Sequence, residues 1–89
     1  MKITLELFGA SREFGNKNYI EFNIQDKIKI KDLRKEIINY LNKNFKGNEN
    51  FKKIVEVSAF CSEDNIIIND NYKIIKDQKI GLIPPIGGG

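Results

Sequence analysis

At 89 residues and a net charge of +3, the chain has room for one small domain with a single core. A lone cysteine, Cys61, and no histidine exclude an intramolecular disulfide and a conventional zinc or haem site. No apolar run reaches the length of a membrane span and no signal peptide follows Met1-Lys2, so a cytoplasmic, metal-free protein is expected.

The positive charge rests on lysines scattered along the sequence, with only two arginines, Arg12 and Arg34. They stand among 16 isoleucines and 11 asparagines, which reads as compositional bias and not as a basic patch. Neither nucleic acid nor membrane is therefore expected as a partner.

Ile3 to Phe8 alternates, with Ile3, Leu5 and Leu7 on one face and Thr4 and Glu6 on the other, which predicts a half-buried strand. Gly9 to Asn18 is polar, with room for one helical turn at Ser11-Arg12-Glu13-Phe14. Tyr19 to Ile24 alternates again and predicts the second arm of an antiparallel hairpin. Leu33, Ile37, Tyr40, Leu41 and Phe45 draw one apolar stripe, predicting a helix over 31–46. Ile30 packs just before it, Gly47 is its natural stop, and Lys29 is a poor N-cap.

Residues 47–53 are expected to form a loop, and Ile54 to Cys61 a third strand with Val55, Val57 and Ala59 inward. Asn65 to Asn69 holds an edge strand, Asn69-Asp70-Asn71 a turn, Tyr72 to Ile75 a short packed segment, and Lys76 to Lys79 another turn. Ile80-Gly81-Leu82-Ile83 is a continuous apolar run, as in a strand covered on both faces. Pro84 and Pro85 end it, because neither can donate to a ladder. The order β-β-α-β-(β)-β predicts an α+β domain over residues 1–83, a mixed sheet packed on one main helix, with the first and last strands interior, adjacent and parallel. That is the β-grasp, ubiquitin-like arrangement. A ferredoxin-like fold would need a second helix within 62–79, where no stripe exists. Residues 84–89 are expected to form a flexible tail.

Two motifs carry a resemblance. Phe8-Gly9-Ala10-Ser11-Arg12-Glu13 resembles the Phe-Ala-x-x-Arg-Glu signature that follows the first strand of MoaD proteins, and Ile80-Gly81-Leu82-Ile83-Pro84-Pro85-Ile86-Gly87-Gly88-Gly89 resembles their last strand, proline pair and terminal glycines. The chain is thus similar to the MoaD/ThiS family of ubiquitin-like sulfur carriers, and to MoaD more than to ThiS.

The resemblance implies a substrate and subunit of enzymes, not an enzyme in its own right. A ubiquitin-activating-type enzyme would adenylate the Gly89 carboxylate with ATP. A sulfur donor such as a cysteine desulfurase system would then convert it to a thiocarboxylate. The large subunit of molybdopterin synthase would receive the tail, and sulfur would pass to the pterin precursor. Gly88 and Gly89 form the reactive end, since a Cβ would obstruct a narrow channel. Pro84, Pro85, Ile86, Gly87, Phe8 and Arg12 are the candidate partner contacts; the carrier itself holds no cofactor.

Other readings stand beside this one. The same end would serve a ubiquitin-like protein modifier or a carrier for tRNA or thiamine thiolation, and an inert tail would leave a β-grasp interaction module. Phe8 divides evenly between core and interface. Arg12 and Glu13 suit a loop-fixing bond or a partner contact better than catalysis, and Cys61 suits a small buried hydrophobe better than a sulfur relay.

Overall fold

The structure, a computed structural model, describes residues 1–85. Strand β1 (Lys2–Leu7) leads through a 3-10 turn (Gly9–Phe14) to β2 (Tyr19–Asn23), and a two-residue strand β3 (Ile28–Lys29) opens helix α1 (Ile30–Asn44). Helix α2 (Glu49–Val57) follows, then β4 (Ala59–Cys61), β5 (Ile67–Ile68), β6 (Lys73–Ile74) and β7 (Gln78–Ile83). Five strands form one sheet in the order β2-β1-β7-β4-β5, while β3 and β6 form a separate small ladder. The expected hairpin and the parallel pairing of first and last strands are both present: β1 runs antiparallel to β2 and parallel to β7, with Leu5 opposite Ile80 and Leu7 opposite Leu82.

The period-2 pattern of β1 puts Ile3, Leu5 and Leu7 in the core with Ile80 and Leu82 beside them, and α1 covers this face with Ile30, Leu33, Ile37 and Leu41, all buried. Burying each such side chain contributes roughly 1.5–3 kcal/mol. The helix starts one residue earlier than the stripe suggests, so Ile30 lies inside its first turn. The weak N-cap at Lys29 is real: its side chain makes no capping bond. Instead the first backbone donors are satisfied from the loop before β6, Ile30 N–H by the Tyr72 carbonyl and Lys31 N–H by that of Asp70. Past the helix, Lys46 and Gly47 both adopt positive φ, and Gly47 does so at 72°.

Residues 49–57 correct the sequence reading. They form a helix, where a loop and the start of a strand were expected. Asn48 is a strong N-cap, its side chain accepting from the backbone N–H of Asn50 at 3.0 Å and Phe51 at 3.1 Å. Phe51, Ile54 and Val55 then share one helical face, and the Phe51 ring packs tilted against Phe14 and edge-to-face against Phe45, with centroids 5.1 Å away in each case. Burial of that face outweighs the strand preference of Ile54 to Val57. Val57 is consequently 64% exposed, and β4 begins only at Ala59 with the opposite phase: Phe60 points into the core and Ala59 outward.

Arg34 ties the two helices to the sheet. Its guanidinium donates to the carbonyls of Val55 (2.6 Å) and Ser58 (2.9 Å), which close α2, and to the Asp70 carboxylate (2.7 Å), and it lies over the Phe60 ring. Hydrogen bonds from a charged donor to helix-end carbonyls are the stronger kind, and at Val55 this one adds to the long 3.4 Å bond from the Ser58 N–H.

Candidate functional site

The end of β7 and the loop after β1 form one corner of the molecule. Ser11, fully buried, fixes that loop: its hydroxyl donates to the Phe8 carbonyl at 2.6 Å and accepts from the Phe8 N–H at 3.0 Å. Gly9 adopts φ 54°, the left-handed conformation that turns the chain out of the strand. The side chain of Phe8 is thereby left on the outer face of the sheet, 37% exposed. Pro84 is buried beside Gly9, and Pro85 is exposed.

The outer face beside this corner is read from the register. Glu6, Gly81, Cys61 and Ile67 lie in one row across β1, β7, β4 and β5, and Ile83 pairs with Ala59 one step nearer Pro84. Gly81 is the floor: a Cβ there would stand 2.6 Å from the Cys61 sulfur and 3.2 Å from the Phe8 ring. Its bare backbone lets the ring and the sulfur lie flat on the sheet. Phe8, Ile83, Ala59 and Ile67 make this an apolar apron around the base of the tail. A polar cleft of about 470 Å³ borders it, lined by Glu6, Cys61, Ser62, Glu63, Asn65, Lys79 and Gly81. Lys79 Nζ lies 3.9 Å from Glu6, and its backbone N–H donates to Glu63.

The candidate residues of the sequence divide accordingly. Phe8, Pro84 and Pro85 come together at this corner. Arg12 and Glu13 are exposed on the 3-10 turn and their side chains make no hydrogen bond among the described residues; the loop-fixing bond belongs to Ser11. Cys61 is a buried thiol, but it packs on the outer face and not in the core. Ile86, Gly87, Gly88 and Gly89 lie outside the described residues.

Sequence reasoning passed over Ser11 and Gly81. A hydroxyl three residues after Phe8, just past the strand, is a legible turn signal, and a lone glycine within an apolar strand signals a close approach. Among the described residues no group of three His, Cys, Asp or Glu side chains is placed to hold a metal, and no helix is long and apolar enough to cross a membrane.

No protein-family model and no curated protein matches the sequence. Solved structures match the fold, three of them as follows. A putative molybdopterin converting factor subunit 1 from Pyrococcus furiosus superposes with a TM-score of 0.68 at 17% identity, over 96% of this chain and 98% of its own. SAMP1 from Haloferax volcanii gives 0.69 at 12% identity, with both chains fully covered. The protein–protein complex of subunits 1 and 2 of the molybdopterin-converting factor from Helicobacter pylori 26695 gives 0.54 at 20%, again over full lengths. A parallel β1–β7 pair inside a mixed sheet, one main helix across it, and these full-length superpositions make the chain a β-grasp protein with the ubiquitin-like fold of MoaD-type subunits and SAMP1.

Proposed function

We propose that the chain is a sulfur carrier and serves as the small subunit of a molybdopterin synthase. The observation that carries this reading is the corner itself. The interior strand β7 runs out through Pro84-Pro85 beside an apolar apron, and the sequence continues Ile86-Gly87-Gly88-Gly89. A rigid strand followed by prolines aims the tail at reduced entropic cost on insertion, and the apron of Phe8, Ile83, Ala59 and Ile67 gives a partner a desolvated seat beside it.

In the proposed chemistry the Gly89 carboxylate attacks the α-phosphate of ATP on an activating enzyme, and pyrophosphate leaves. The terminal sulfur of a donor cysteine persulfide then attacks the acyl carbon and AMP leaves, and a second thiol attacks the donor sulfur of the resulting acyl disulfide, so that the thiocarboxylate departs and the two thiols are left as a disulfide. The large subunit binds the apron and tail, the thiocarboxylate sulfur bonds to a carbon of the pterin precursor as the group it replaces departs, and water then cleaves the acyl–sulfur bond, leaving sulfur on the pterin and returning the Gly89 carboxylate. All catalytic groups belong to the partners. A large-subunit partner is supported by the fold likeness to the two-subunit complex from Helicobacter pylori. Sulfur transfer to a pterin, and not a lysine amine as acceptor, follows from the motif resemblance, since the fold likeness to SAMP1 is as high as that to the converting-factor subunit.

The test is intact mass spectrometry of the protein after incubation with its host's adenylating enzyme, ATP and a sulfur donor. The expected product is heavier by one oxygen-to-sulfur exchange, mapped to Gly89. A carboxylate that stays unchanged under these conditions overturns the carrier reading. Isopeptide conjugates to lysines in host extract, without thiocarboxylate-dependent pterin sulfuration, would move the assignment to a protein modifier.

A further inference from the structure

Lysines that are scattered in the sequence converge in the fold, at the end of the sheet away from the tail. Strand β2 brings the chain back to the start of β1, where Ile24 N–H donates to the Met1 carbonyl, and β6 lies just before the start of β7. At this end the β3–β6 ladder sets Lys29 directly opposite Lys73. Like charges facing each other across strands destabilise the pair, and this ladder has only one other residue pair, Ile28 with Ile74.

Lys29 is also the N-cap of α1, and Lys31 follows in its first turn. Both add positive charge to the positive end of the helix dipole. With Lys27, Lys35 and Lys73 they surround an open hollow of about 500 Å³ whose other lining residues are Ile28 and Asp32. Asp32 lies 3.8 Å from Lys35, while among the described residues Lys27, Lys29, Lys31 and Lys73 take part in no ion pair.

Compositional bias does not account for this arrangement. On the sheet the same chain sets Glu21 beside Lys2 and Glu6 beside Lys79. Here it breaks the cross-strand and capping preferences at one spot, where Asp32 alone in the first turn of α1 favours the helix dipole, and such concentrated local conflicts are expected where a site serves something other than stability.

We propose that this pole is a docking surface for an acidic segment of a partner protein. The missing counter-charge is anionic, and the hollow is open, so it suits an extended chain of carboxylates reached by flexible ammonium groups. Neither arginine contributes a fork, Arg34 being engaged with Val55, Ser58 and Asp70, and no aromatic ring lines the hollow to stack a base. These features favour carboxylates over nucleic acid. The surface lies apart from Phe8 and Pro84, so it can be occupied together with the tail.

The test uses the full chain, labelled with nitrogen-15, titrated with a hexaglutamate peptide, a hexaglutamine control and a single-stranded oligonucleotide of equal charge. Hexaglutamate is expected to move the amide resonances of residues 27–35 and 73, but not those of Lys17, Lys43 or Lys53, and to bind more weakly as salt rises. The double variant Lys29→Gln/Lys73→Gln is expected to lose about tenfold in affinity while gaining thermal stability, because the repulsion is relieved. Shifts spread evenly over lysines of the whole chain would overturn the proposal, as would a variant that binds unchanged. A variant that melts lower would assign these lysines to the fold, and tighter binding of the oligonucleotide would overturn the choice of an acidic protein segment.

Discussion

Gly81 shows how much of the candidate site depends on one missing atom. The Phe8 ring and the Cys61 sulfur both rest on its backbone, the sulfur only 2.6 Å from where a Cβ would stand. Gly81→Ala is therefore expected to push the sulfur off its seat and lift the ring, at about 1–3 kcal/mol. Cys61→Ala should recover part of that loss by removing the sulfur. A double-mutant cycle on thermal or urea unfolding measures the coupling, and strict additivity of the two changes would contradict the contact. The same residue illustrates what is legible: a lone glycine in Ile80-Gly81-Leu82-Ile83 announces a close approach, but not which groups approach. Those groups come from the residue that follows β1 and from β4, separated from Gly81 along the chain and brought to it by sheet register.

At the scale of elements, β1, β2, α1 and the Ile80–Ile83 part of β7 were readable from apolar patterns that match their burial, whereas Gln78 and Lys79, expected in a turn, already pair with Ile3 and Thr4 in the strand. Helix α2 was not. Ile54-Val55-Glu56-Val57 has the β-branched composition of a strand, and only packing of Phe51 against Phe14 and Phe45, brought together by the 3-10 turn and the end of α1, decides for the helix. Its start depends on Asn48, whose side chain satisfies two backbone donors. Asn48→Ala is expected to cost about 1 kcal/mol, a fall of roughly 4–8 °C in Tm for a domain of this size. A Tm unchanged in the variant, measured by circular dichroism, would show that the helix holds through its packed face alone.

At the scale of the whole molecule, β7 is the keystone. It pairs with β1 on one side and β4 on the other, so the sheet loses its continuity without it. A chain ending at residue 77 is expected to show no cooperative unfolding transition, while one lacking only Gly88 and Gly89 should keep its Tm within about 2–4 °C. If the second truncation also abolished the transition, the tail would belong to the folded core, and its use as an arm would be in doubt. Folding must close the β1–β7 ladder between opposite ends of the chain, so it is expected to be slower than in a helical bundle of equal length.

The sequence by itself determined the architecture, because hydrophobic period and glycine-proline punctuation are local signals and the β-grasp order uses few elements. It also named Phe8 and the prolines among the candidate partner contacts, through motifs at the two ends of the chain. Tertiary structure alone decided the fate of residues 49–57, the phase of β4, the role of Ser11 in place of Arg12 and Glu13, and the gathering of Lys27, Lys29, Lys31, Lys35 and Lys73 at one pole. Each of these depends on which distant residues meet. Contact across the sheet is set by strand register, and charge density by the folding of separate segments together, so neither is written in any single window of the chain.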